Sequence, residues 1–232
     1  MVETLPLFPL GTVLLPGASL PLHIFEPRYR QLTVDLASGK VPGKTFGVVA
    51  VRPGWNSRTK DIEEVHSIGC SAELQKVDQL QDGRFEIDTT GARRFRILEL
   101  DCESAPYLVA EVEWLPDNEL TEAVRAQLPE LAIAARAAHW RYRNAAPGLR
   151  RLASHVGSPH GDEPIRDEAL ANLIACTCLL DLPDLQLLLE QRCPGKRLKL
   201  ISRLLHQEAG FIEYLRAVPM PLAELGHRTS AN

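Results

Sequence analysis

A change of texture near residue 117 constrains this chain more than any single motif. Before it, short runs rich in Val, Ile, Leu and aromatics are punctuated by Gly and Pro: LPLF, TVLL, PLHIF, FGVVAV, CSAELQKV, RFEIDTT, FRILELD and YLVAEVEW. Closely spaced runs of that kind predict strands of a curled antiparallel or mixed sheet. After it, Leu120, Val124, Leu128 and Leu131 recur at the three- and four-residue intervals of a helix face, although Pro129 predicts a kink or restart. DEPIRDEALANLIACTCLL opens with acids and Pro164, a helix start, and Leu170, Leu173, Ile174 and Thr177 define its buried stripe. PDLQLLLEQ and GKRLKLISRLLHQEAGFIEYLRAV extend the pattern, the latter with Leu198, Ile201, Leu204 and Leu205 on one face. The expected fold class is α+β, with a β-rich subdomain over 1–116 and a small helical bundle over 117–232.

Two local signals sharpen this expectation. Asp82-Gly83 tolerates the positive φ of a tight turn and predicts a hairpin, flanked by polar Glu73, Gln75 and Asp78 on one side and alternating Phe85 and Ile87 on the other. LPLHIFEPRYR, residues 20–30, collects His23, Glu26, Arg28 and Arg30 as a catalytic cluster would. A structural joint explains the same residues. PLHIF reads as a buried strand, Glu26 as the residue at the helix N-terminus, Pro27 as the first helical position, and Tyr29, Leu32 and Leu36 as the inward face.

Function classes can be narrowed. The formal net charge of −4 supplies no global field for nucleic acid or an anionic membrane, so any basic site must be local. The opening MVETLPLFPL does not suit a secretory signal, and no run reaches the length of a membrane span. Five scattered cysteines read as reduced thiols of a cytoplasmic protein, with Cys176 and Cys178 as small core residues on a helix. SGKVPGKT, residues 38–45, approaches a phosphate loop, but a helix precedes it and a strand follows, the reverse of what phosphate binding needs. Ser19 and Ser158 lack the context of a nucleophile, and His155 and His160 lack a third converging ligand. Neither a metal, a cofactor nor a catalytic group is expected.

Two binding candidates remain. Residues 131–161 hold Arg136, Arg141, Arg143, Arg150 and Arg151 with Trp140 and Tyr142 interleaved. Stacking aromatics beside arginines can hold single-stranded nucleic acid or an acidic peptide, and the same composition also suits a connector lying across an acidic molecule. Trp55, with Arg58, sits in a polar turn and either folds onto the core or meets a partner.

The residues quoted so far carry a resemblance. LPLFPLGTVLLPGASLPLHIFEPRYRQL, with Pro16-Gly17 and Glu26-Pro27-Arg28-Tyr29, is similar to the opening of the substrate-recognition domain at the N-terminus of Lon proteases. DGRFEIDTTGARRFRI with PYLVAEVEWL resembles the second block of that family, and LANLIACTCLLDLPDLQLLLE with KRLKLISRLL its helical third. The resemblance, nearest to stand-alone bacterial forms, implies a PUA-like, strongly twisted β subdomain followed by helices. It also implies binding of other proteins, in particular exposed apolar or unfolded segments, in protein quality control. The chain reaches Asn232 without the family's ATPase or serine-lysine peptidase modules, so hydrolysis of ATP or of peptide bonds is not expected of it. The second reading, from a PUA-like fold plus the arginine-rich segment, is an RNA or anionic-ligand binder. A small hydrolase is a third.

Overall fold

The structure, a computed structural model, describes residues 2–53, 64–145 and 166–215. Six strands form one mixed sheet: β1 (Val2–Leu10), β2 (Ser19–Ile24), β3 (Thr45–Ala50), β4 (Ile68–Gln79), β5 (Phe85–Asp101) and β6 (Val109–Trp114). The order is β2-β5-β4-β3-β1-β6, and an additional β5–β6 pairing closes all but β2 into a ring. Only β1 and β3 run parallel. β5 makes closure possible because it is long and bent. The runs RFEIDTT and FRILELD are one strand, pairing with β2 over residues 85–90, with β4 over 85–96 and with β6 over 95–101.

Alternation along the strands feeds two apolar clusters. Leu5 and Leu7 of β1 point inward with Val49, Phe95, Ile97 and Val112, whereas Phe8 points outward to the larger cluster. There its ring stacks on Tyr29 with centroids 3.8 Å apart. Tyr29 belongs to α1 (Pro27–Ala37), whose buried residues include Leu32 and Leu36 as the spacing predicts. The hairpin is present with Gly83 at φ +78°, and the amide of Arg84 donates to Asp82 Oδ1. The phosphate-loop lookalike is a short helical turn, Pro42–Lys44, between α1 and β3.

Three expectations fail here. TVLL is not a strand, although Leu14 and Leu15 are buried: the segment crosses β5 at Gly91, with Gly17 N–H donating to Gly91 O at 2.8 Å and Gly91 N–H to Ala18 O at 2.8 Å. Gly91 permits the crossing, since a Cβ there would lie 2.2 Å from the carbonyl oxygen of Leu15. PLHIF is not a buried strand, for β2 lies at the sheet edge and Phe25 is 62% exposed. Pro129 does not restart a helix; α2 runs unbroken from Glu122 to Ala145.

The helical half comprises α2, α3 (Asp167–Ala175), α4 (Leu182–Glu190) and α5 (Pro194–Leu215). α2 presents Leu128, Ala132, Ala135, Ala138 and Tyr142, and the small side chains allow α5 to pack closely. α3 ends sooner than CTCLL suggests, at Ala175, so Thr177 and Cys178 lie beyond it and Cys176 caps it. Leu198, Ile201, Leu204 and Leu205 are all buried on α5. The larger apolar cluster includes residues of both halves, and Gln186 Nε2 of α4 donates to Ile68 O of β4 at 3.1 Å.

Candidate functional site

Three of the four groups that make LPLHIFEPRYR look catalytic have structural partners. Glu26 is the N-cap residue of α1 and ion-pairs with Arg28 at 2.9 Å, while the Arg28 guanidinium sits over the Tyr29 ring. His23 faces Arg84, 3.0 Å from its Nη1, and Glu86, 3.9 Å away. Acid and base therefore have separate partners.

The arginine-rich segment divides by helix geometry. Residues two apart on a helix point to different sides: Trp140 is 71% exposed, whereas Tyr142 is buried and accepts a hydrogen bond from Leu179 N–H at 3.0 Å. Burial pushes the Tyr142 phenol up to about 12. Arg141 is tied to Glu213 at 2.7 Å and Arg136 to Asp167 at 3.4 Å, so two of the three described arginines of this segment have acidic partners. Arg143 is exposed. Trp55, Arg58, Arg150, Arg151, Ser158, His155 and His160 lie outside the described residues.

Elsewhere lies a cleft of about 740 Å³ where β5, β6 and the Pro16-Gly17 turn meet α3 and α5. Gly17 adopts φ +85°, a conformation that favours glycine, and this turns the chain so that Pro16 and Gly17 line the rim. Leu115, Pro116, Ala169 and Leu173 give the walls apolar character, and Trp114 stands beneath Arg93, whose guanidinium lies 4.0 Å from the ring centroid. Such a volume with mostly apolar walls and a few polar groups is typical of a ligand site.

The polar groups belong to a charge cluster that sequence reading missed. Asp117 accepts from Arg94 Nη1 at 2.6 Å and from both Nη atoms of Arg197, at 2.8 and 2.9 Å. Arg197 also donates to the carbonyls of Gln191 and Glu168, at 2.9 and 2.8 Å. The two guanidinium groups are 5% and 1% exposed at the side chain. Burial works to raise the Asp117 carboxyl, but hydrogen bonds and charge from Arg197 and Arg94 hold it below the usual carboxylate range. Burial, and then the neighbouring Arg197 cation, lower Arg94. The signal available in sequence was Arg197 itself, a charge on the stripe defined by Leu198, Ile201 and Leu205 where an unpaired cation is costly.

Among the other titratable groups, His139 Nε2 lies 2.9 Å from the Thr177 hydroxyl, and burial lowers the imidazole below its ordinary value. Burial pushes the thiols of Cys70, Cys176 and Cys178 up to about 12, away from the thiolate form that nucleophilic chemistry uses. No group of three or more metal-ligating side chains converges among the described residues. No helix among them is long and apolar enough to cross a membrane.

Comparison with known proteins gives a consistent picture. A family model described as the ATP-dependent protease La (LON) substrate-binding domain matches residues 4–207. Lon protease 2 of Myxococcus xanthus is 28% identical over 213 residues, covering 89% of this chain and 24% of the relative. Lon protease of Flavobacterium johnsoniae is 33% identical over 138 residues, 56% of this chain and 16% of the relative. The match therefore spans about a quarter or less of these curated relatives. Among solved structures, a Lon N-terminal domain protein from Xanthomonas campestris superposes with a TM-score of 0.57 at 26% identity, over 85% of this chain and 95% of the other. The N-terminal domain of Mycobacterium avium complex Lon protease shares the fold, with a TM-score of 0.60 at 19% identity over 88% and 98%.

Proposed function

The chain belongs to the LON substrate-binding domain family, and from that premise we propose that it is a non-catalytic module that binds exposed apolar segments of unfolded polypeptides. Its working surface is the cleft between two subdomains, 1–116 and 117–232, and its setting the cytoplasm. The observation that carries this reading is the cleft itself, an apolar-walled recess at the seam of sheet and helices. Apolar side chains released from water into such walls gain roughly 25 cal/mol per Å² buried, which suits a client whose core residues are exposed. Folded clients hide those residues and should not bind.

The reading without catalysis is supported by the inert thiols and by the separate partners of His23 and Glu26. A polypeptide partner fits better than nucleic acid, because the chain is net acidic and Arg136 and Arg141 face carboxylates. Surface plasmon resonance with a permanently unfolded client, such as a reduced and carboxymethylated globular protein, and with its native form tests the proposal. The unfolded form should bind and the native form should not. Leu173→Arg, which places a cation on the apolar wall, should weaken binding by about tenfold or more, as loss of an interface anchor does. Equal binding of both client forms, or full affinity in Leu173→Arg with native circular dichroism, would count against the cleft.

A further inference from the structure

We propose that the charged floor of this cleft captures the free C-terminal carboxylate of a client polypeptide whose last residues are apolar. The inference rests on the reading of the cleft as a polypeptide site and names which part of the polypeptide enters it.

Arg94 is the starting point. A guanidinium carries five N–H donors, and that of Arg94 is 5% exposed, yet one hydrogen bond, to Asp117, is its whole complement among the described residues. Its Nε is buried without a partner. The Nε of Arg197 is likewise buried without a partner, but both of its terminal nitrogens are committed twice over. Two desolvated cations thus share one carboxylate, and Arg94 holds the unspent terminal nitrogen donors. A buried cation so poorly compensated is costly, and such a group in a native structure calls for an explanation such as a ligand.

The surroundings define the ligand. Four arginines against three carboxylates line the cleft, an excess of one positive charge. That excess suits a single negative charge, and the carboxylates oppose a polyanion such as nucleic acid. Arg94 is planar and forked, a shape that matches a carboxylate through paired hydrogen bonds. Water would satisfy the donors and leave the charge; a carboxylate answers both. The apolar walls lie beside this floor, so the group that delivers the carboxylate should carry an apolar side chain next to it. Asn172 lines the same cleft, and its Oδ1, also buried without a donor, is an acceptor of the kind the last peptide N–H requires. A polypeptide terminus ending in Leu or Val presents all three features within one residue.

The test uses the full chain and an eight-residue apolar peptide, labelled with fluorescein at its N-terminus, in fluorescence anisotropy. The peptide with a free C-terminal carboxylate should bind at least about tenfold more tightly than its C-terminal amide, a difference of about 1.4 kcal/mol. Arg94→Gln should abolish that preference while retaining residual binding of the amide. Because removing a buried cation can impair folding, the comparison of acid and amide peptides on the unmodified protein is decisive without the variant. Equal binding of the two peptides overturns the inference and leaves polypeptide binding standing. An amidated peptide with an internal Asp that matches the free acid overturns the terminal assignment. N-acetyl-leucine competing as strongly as the peptide reassigns the floor to small carboxylates and overturns it as well. Failure of the peptides alongside binding of an unfolded protein overturns it too. Failure of both removes the reading on which it rests.

Discussion

Asp117 is one carboxylate answering two guanidinium groups, and its substitution is the most informative single change in the molecule. Asp117→Asn keeps the shape but leaves Arg94 and Arg197, 5% and 1% exposed at the side chain, without a counter-charge. Breaking a buried pair costs 3–5 kcal/mol, and the partial exposure of Asp117 brings the expectation to about 2–3 kcal/mol, read by urea denaturation at neutral pH. The pH dependence has a definite sign. Because the native carboxyl lies below its ordinary range, its stabilising contribution is complete above the unfolded value of about 3.9 and is lost as pH falls through the lower native value. The gap between wild type and Asp117→Asn should therefore narrow as pH drops below about 4, and a gap constant down to acid unfolding would contradict the assigned charge state. Gly91 makes a second, independent prediction. Gly→Ala at an ordinary φ commonly stabilises by about 0.4–1 kcal/mol, but here the new Cβ would meet the Leu15 carbonyl oxygen at 2.2 Å. Gly91→Ala should instead destabilise by roughly 1–3 kcal/mol in the same assay, as overpacking does.

At the scale of elements, Pro129 stands inside α2 without breaking it. It supplies no N–H to the carbonyl four residues back, that of Arg125, and in a helix interior this costs up to about 3 kcal/mol. The seam of Leu128, Ala132, Ala135 and Ala138 against α5 holds the helix together in spite of it. Pro129 is exposed, so Pro129→Ala should raise stability by roughly 1–3 kcal/mol in thermal or urea unfolding without disturbing that seam. The same helix shows what a sequence reveals and what it does not. Its existence was legible from the period of its apolar residues, because that period is local. The outcome at Pro129 was not, because tertiary packing decides whether a helix survives a proline. Glu26-Pro27 as a helix start and Asp82-Gly83 as a turn were likewise legible, each resting on one or two dihedral preferences. TVLL misled because burial by a crossing segment and burial within a sheet leave the same apolar run. Trp140 and Tyr142 were read together from composition, whereas helical geometry parts them. The cluster of Arg94, Asp117 and Arg197 joins residues 23 and 80 positions apart, a separation over which periodicity carries no information.

The whole molecule is tied across its seam by two devices that should make it unfold as one. The larger apolar cluster includes Phe8 and Phe46 from the sheet and Leu170, Ile174 and Leu198 from the helices. The charge cluster links β5 to α5 through Asp117. Chains of this length commonly unfold through intermediates when their parts hold separate cores. Here the shared cluster predicts coincident urea transitions in the tryptophan fluorescence of a chain carrying Trp55→Phe and Trp140→Phe, which leaves Trp114 of β6 as the reporter, and in the helical far-UV signal, which reports mainly on the second half. Two resolved transitions would mean that 1–116 and 117–232 are energetically independent. Binding at the seam then adds its own signature. A ligand at 100 times its dissociation constant stabilises the native state by about 2.7 kcal/mol. Since the cleft is built from β5, β6, α3 and α5 together, a client peptide held there should move both signals by the same amount. A shift in one signal alone would place the ligand on a single subdomain and exclude the seam as the binding surface.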